Sequence, residues 1–329
     1  MPEVIRSIVP VRGGAALLAL AGVALLALSG PAAALTFTVN FDTSVTTNSN
    51  AANIESAFNA ATGFYASTYT DPINITLNVG WGFLGSTGTP VSPGALGESS
   101  TFIDTGLTYA QVRNALIADA KSPDDAIAVS SLPAADPTGG KSELMAVAEA
   151  RAIGLSATGP GRAADVGFDS TASWAFGPNR AVPGEYDLIG VAEHEIAETM
   201  GRFADLGTFF NSLSPLDLFR YTGPGARQLT APASAPCGFF SIDGGTTSIN
   251  SFNCDNGGDL GDWAGATVDS YNAFATLGVE LPVSAGDIRE MDVLGYDLPL
   301  AVATPEPGTL ALLGSSLLGF AAWRRRRRQ

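Results

Sequence analysis

The chain has 329 residues, 46% of them hydrophobic and 15% charged, with a formal net charge of −15. This composition excludes a disordered chain and is enough for one large domain or two small lobes around a cleft. Setting aside the charged residues of the two ends, ten basic residues face thirty acidic ones, close to −20. That balance disfavours nucleic acid or any other polyanion as a partner.

Arg6 and Arg12 precede an apolar run, Ala15 to Leu28, and then Pro31-Ala32-Ala33-Ala34. A basic start, an apolar core and small residues at an A-x-A site predict a signal peptide over 1–34. The run is short for a membrane anchor. Leu35 to Phe41 and Ile73 to Val79 alternate apolar or β-branched with polar residues, which predicts strands. Ile54, Ala57, Phe58 and Ala61 fall at helical spacing in 53–66, with Asn53 as cap. The stretch 80–100, rich in glycine, serine and proline, predicts a long surface loop. Helices are expected over 108–120, capped by Thr108, and over 142–153, ending before Gly154. Short strands are expected at 165–168 and 174–176.

The segment 184–200 predicts a buried helix, and Gly201 allows a sharp turn after it. It carries the only histidine of the chain, in His194-Glu195-Ile196-Ala197-Glu198. That is the zinc-protease pattern H-E-x-x-H with a glutamate in place of the second histidine. On a helix, positions 194 and 198 lie one turn apart on one face and can reach one metal ion. Glu195 occupies the position of the carboxylate that takes a proton from the attacking water. Buried glutamates on such a helix are costly unless they are paired or bound to a cation.

A zinc peptidase needs about three protein ligands and an open position. Beyond His194 and Glu198, the third ligand is expected to be Asp205, near the turn after Gly201, or Asp217, 19 residues past Glu198, a distance that resembles the one at which a branch of the zincins draws a glutamate from a following helix. The metzincin position is Ala204, which cannot ligate. One nitrogen and two carboxylates suit zinc or the harder manganese, and they place more negative charge on the ion. A hydrogen-bonded polar network without metal is the competing reading. Asp255 to Asp262 places oxygen donors and glycines at a spacing that suits calcium but lacks the distal glutamate of an EF-hand, so a solvated acidic turn competes with a structural calcium site. A serine triad would have to borrow His194. Trp174, Trp263 and Tyr271 could stack on sugars of an exopolysaccharide, against a plain role in the core.

Downstream, Phe239 to Ile242 and Thr246 to Ile249 flank Asp243-Gly244-Gly245 as a predicted hairpin, and 284–294 predicts a last helix ending on Gly295. Outside the cytoplasm Cys237 and Cys254 are expected to pair, closing a loop worth roughly 3 kcal/mol. Two free thiols are the alternative. The end of the chain, Pro305-Glu306-Pro307, an apolar segment from Gly308 to Trp323, then Arg324 to Arg328, can just span a bilayer with the arginines on the cytoplasmic side. A plain tail anchor would look similar.

In its three parts and their order, that tail resembles the PEP-CTERM sorting signal of exported bacterial proteins. The resemblance implies cleavage near Pro-Glu-Pro by a membrane-embedded exosortase. It also implies a precursor anchored in the inner membrane of a Gram-negative bacterium and a mature protein at the cell surface or in the extracellular matrix. The order of elements between the signals, with the motif helix central, is similar to the α+β zincin fold, in which that helix floors a cleft between two lobes. Several phrases resemble a PEP-CTERM-associated zincin-like metalloprotease family: Leu107-Thr108-Tyr109 to Leu116, Val191 to Glu198 with Met200-Gly201-Arg202, and Asp217-Leu218-Phe219-Arg220-Tyr221. Phe240 to Gly245, Gly261-Asp262-Trp263 and Asp292 to Asp297 also fit. The resemblance implies a metallopeptidase domain over 35–303, followed by the sorting signal at 304–329, acting on protein or peptide. A non-catalytic surface or matrix protein on the same fold is the other reading.

Overall fold

The computed structural model describes residues 34–155, 164–232, 237–254, 257–265, 268–299, 320 and 323–327. The alternating segments form β1 (Thr36–Phe41) and β2 (Asn74–Trp81), paired in parallel. They are joined by α1 (Thr43–Thr46) and α2 (Ala51–Thr68), whose stripe of Ile54, Ala57, Phe58, Ala61 and Tyr65 is buried. The helix begins earlier than expected, after Asn50 rather than Asn53. The 80–100 stretch is not one loop. It contains the hairpin β3 (Phe83–Leu84) and β4 (Thr89–Pro90) and then β5 (Gly97–Thr101). Its residues, Gly-Glu-Ser-Ser-Thr, have no apolar alternation, so cross-strand pairing and not local pattern makes this strand.

β6 (Ile103–Thr108) leads into α3 (Tyr109–Asp119), with Thr108 and Gln111 forming a reciprocal capping box. α4 (Pro123–Ser131) follows, opened by Ser122 with proline in its first turn. The helix expected over 142–153 is half strand. β7 (Ser142–Ala146) pairs antiparallel with β6, and only α5 (Val147–Ala152) is helical. Glu143 to Ala146 are all buried, so tertiary pairing overrides their helix preference. β8 (Ala164–Phe168) is buried throughout and lies inside a sheet of order β1-β2-β8-β5, parallel to β2 and antiparallel to β5, which forms one edge.

β9 (Trp174–Ala175) and β10 (Tyr186–Asp187) pair just before α6 (Leu188–Thr199), which runs along α2 and against β5. After a 3-10 turn at Pro215–Phe219 come β11 (Arg220–Gly223), β12 (Ala226–Arg227), β13 (Phe239–Phe240) and β14 (Asn250–Ser251), in the order β12-β11-β13-β14. The expected hairpin is shifted: Phe239 and Phe240 pair with Ser251 and Asn250, not with 246–249. Asp243 still closes the turn, its carboxylate accepting from the amides of Thr246 and Thr247. α7 (Ala285–Val293), capped by Ser284, ends the domain. Cys237 and Cys254 are disulfide-bonded, with Cα atoms 5.8 Å apart. The architecture is α+β. The expected signal peptide over 1–34, but for its last residue, and nearly all of the tail's apolar segment lie outside the described residues. Among the described residues no helix is long and apolar enough to cross a membrane.

Candidate metal centre

α6 buries Leu188, Val191, Ala192, Ile196 and Ala197, which leaves His194 and Glu198, one turn apart, at its margin with side chains 14% and 13% exposed. Glu193 points elsewhere, to the Arg180 guanidinium at 3.1 Å. Glu195 is buried beneath β5. A Cβ at Gly97 would stand 2.5 Å from Glu195 Oε1, so the strand can pass over the carboxyl only because residue 97 is glycine. Two residues along β5, Ser99 donates from Oγ to Glu198 Oε2 at 2.8 Å.

The imidazole is fixed from behind. His194 Nδ1 lies 2.9 Å from the Ser270 carbonyl, which can only accept, so Nδ1 carries the hydrogen. The Ser270 hydroxyl in turn donates to Gly190 O, pinning that segment to α6. Nε2 therefore faces the front, 3.4 Å from Glu198 Oε1 and 3.4 Å from Asp262 Oδ1. Donors bound tetrahedrally at about 2.0–2.2 Å from one ion stand roughly 3.4 Å apart, and each of these two pairs has that spacing. Glu195 falls within 4.8 Å of His194 and Glu198, and Asp259 within 4.8 Å of Glu198 and Asp262.

Arg202 closes the cluster. Gly201, at φ +116°, turns the chain out of the helix, and the Arg202 guanidinium returns over it. Nη1 donates to Asp262 Oδ1 at 2.7 Å, Nη2 lies 3.6 Å from Glu198 Oε1, and the guanidinium carbon sits 4.4 Å above the Tyr271 ring. The side chain is fully buried.

These contacts set the protonation states. Burial, and then Arg202, work against a charged His194, but the Asp262 and Glu198 carboxylates prevail and raise it to about 9. Burial opposes ionisation of Glu198 too, yet its bond to His194, the charges of His194 and Arg202 and the Ser99 hydroxyl hold it down at about 2. Glu195 is pushed well up, first by burial and then by the Glu198 charge. Asp259 rises to about 6, mainly through Glu198 and then through burial.

The structure thus brings His194, Glu195 and Glu198 together and leaves Asp205 and Asp217 outside both donor groups. Asp217 Oδ2 accepts from the amides of Asp205, Leu206 and Ser214 at 3.1, 2.8 and 2.9 Å, capping the 3-10 turn. Asp205 accepts from Thr208 Oγ1, the Phe209 amide and Ser212 Oγ, knotting its own loop. The third carboxylate beside His194 is Asp262, which the sequence offered only as part of an acidic turn suited to calcium. The two acids of that turn's described part, Asp259 and Asp262, face Glu198. Arg202, Ser99 and Ser270 also escaped the sequence reading. The Met-Gly-Arg and Gly-Asp-Trp phrases marked two of the segments without showing that they meet. Trp174, Trp263 and Tyr271 are core residues: Trp263 Nε1 donates to Asp287, and the Tyr271 hydroxyl meets that of Tyr65 at 3.0 Å.

Residues 303–327 match the PEP-CTERM protein-sorting motif. No curated protein and no solved structure matches the chain. The chain is an exported, surface-sorted protein, and an exosortase-type enzyme is the partner that recognises its tail.

Proposed function

We propose that this protein is a metal-dependent peptidase with a zincin-like site on α6. The observation that carries the reading is the position of His194 Nε2, 3.4 Å from both Glu198 Oε1 and Asp262 Oδ1, with Nδ1 committed to Ser270. Outer hydrogen bonds of this kind orient a metal-ligating imidazole. His194, Glu198 and Asp262 would hold zinc or manganese. A bound ion would supply a Lewis acid at the scissile carbonyl. Glu195, buried within 4.8 Å of His194 and Glu198, would in its ionised form accept the proton of the attacking water and deliver it to the leaving amine. β5 is the sheet edge among the described residues, running past Glu195 and Glu198, and the side away from β8 suits an extended peptide added as a further strand.

One observation favours a non-catalytic surface protein instead. Arg202 and a protonated His194 can balance Glu198 and Asp262 without any added ion. The two readings part on metal analysis and casein hydrolysis of wild type, His194→Ala and Glu195→Gln. The peptidase should bind zinc or manganese near stoichiometrically, lose it in His194→Ala, and keep it in Glu195→Gln. Removing the base should lower hydrolysis by on the order of 10²–10⁴. Equal metal content in wild type and His194→Ala, or equal hydrolysis in wild type and Glu195→Gln, sinks the peptidase.

A further inference from the structure

In the two-histidine pattern a neutral imidazole stands where this chain has Glu198. The exchange adds a negative charge to the donors, and with Asp262 they carry two. Surplus negative charge on an ion's ligands weakens its pull on electrons. Arg202 bears on this charge directly. Its guanidinium touches both carboxylates, at 2.7 Å to Asp262 Oδ1 and 3.6 Å to Glu198 Oε1, and it is buried over Tyr271. It lies four residues after Glu198, one further turn along, and Gly201 brings it back over the helix end. An arginine stays charged in such a site, and its flat face suits the stacked position. A lysine on the surface could leave; this group is held in place.

We propose that Arg202 is a positioning residue that cancels the extra carboxylate charge that Glu198 and Asp262 place beside His194. It keeps a divalent cation there loosely enough held, and electron-poor enough, to act on a carbonyl. The inference rests on the reading of this cluster as a cation site. It makes a prediction opposite in sign to that for an ordinary supporting residue. A group that merely orients a ligand costs roughly 10–100-fold in metal affinity when removed. Removing a charge that repels the ion should tighten binding instead.

The test is calorimetric titration of zinc chloride and of manganese chloride into the full-length chain in detergent, after chelation, for wild type, Arg202→Met and Arg202→Lys. Arg202→Met should bind each ion more tightly by on the order of ten-fold or more. Arg202→Lys, which keeps the charge and loses the fork, should stay within about three-fold of wild type. Unchanged or weaker binding in Arg202→Met overturns the proposal while leaving the cation site standing. If circular dichroism shows Arg202→Met unfolded, the lysine variant decides: a loss of about ten-fold or more marks a ligand-orienting role and overturns charge compensation. Wild type that binds neither ion overturns the peptidase reading and this inference with it.

Discussion

Glu143 offers a test of the interior that does not depend on the metal centre. It is fully buried on β7, and neither carboxylate oxygen has a hydrogen-bond partner among the described residues. Burial first, then the charges of Asp217 and Asp136, raise it from 4.5 to about 8. The folded protein therefore holds a proton here that the unfolded chain releases above about pH 4.5, so stability falls as pH rises through that window and levels off near pH 8. At 1.36 kcal/mol per pH unit the loss is of the order of 5 kcal/mol. Glu143→Gln carries no such proton. Its melting temperature should lie close to that of wild type near pH 4.5, and the gap should widen in the variant's favour to roughly 10 °C at pH 8. Differential scanning calorimetry from pH 4.5 to 8.5 measures this. A gap independent of pH, or a variant that melts lower at pH 8, would refute the reasoning by showing Glu143 ionised and paired with a cation in the fold.

Asp217→Asn should destabilise the chain by roughly 2–4 kcal/mol, because a charged acceptor of three backbone amides is lost, yet it should bind zinc like wild type. Asp262→Asn should lose zinc, and equal zinc affinity in the two variants would overturn the assignment of donors. Gly97→Ala drives a methyl to within 2.5 Å of Glu195 Oε1 and should lower stability by about 1–3 kcal/mol. A wild-type melting temperature would show that β5 does not press on Glu195. In the native host, mass spectrometry of the surface protein should find nothing beyond about Pro307, and an intact run of Arg324 to Arg328 would contradict processing at the sorting signal.

What the sequence made legible was local. Alternation in Thr36–Phe41 and Asn74–Trp81, helical spacing in Ala51–Thr68 and the Thr108 cap are signals carried within one element, and those elements formed close to where they were expected. β5 and β7 were missed because their strand character comes from β8 and β6, not from their own residues. The candidate site divides the same way. His194, Glu195 and Glu198 share one helix and could be placed on one face by spacing alone. Asp262 lies more than sixty residues on, and its approach depends on Ser270 pinned to α6 and on Arg202 folding back after Gly201. Spacing favoured Asp205 and Asp217, but it could not show that both oxygens of Asp205 and Oδ2 of Asp217 are taken up by backbone amides and hydroxyls.

The same contrast changes the meaning of the net charge. Counting every acid as ionised gives −15, but many of these acids are not on the surface. Burial is the leading reason that Asp287 and Glu143 rise to about 8 and Asp71 and Asp292 to about 7. It likewise pushes Glu149, Glu195 and Glu290 well up. Near neutral pH several of these groups hold protons, so the folded chain is less negative than its composition implies, though of the same sign. An interior rich in protonated carboxyls favours acidic surroundings, because each such group adds stability as pH falls towards its unfolded value. Glu198, held down at about 2, is the exception. It stays ionised across that whole range because His194 and Arg202 stand against it. The buried carboxyls largely shed charge on folding, whereas Glu198 on α6 keeps it, and a cation would bind where charge is kept.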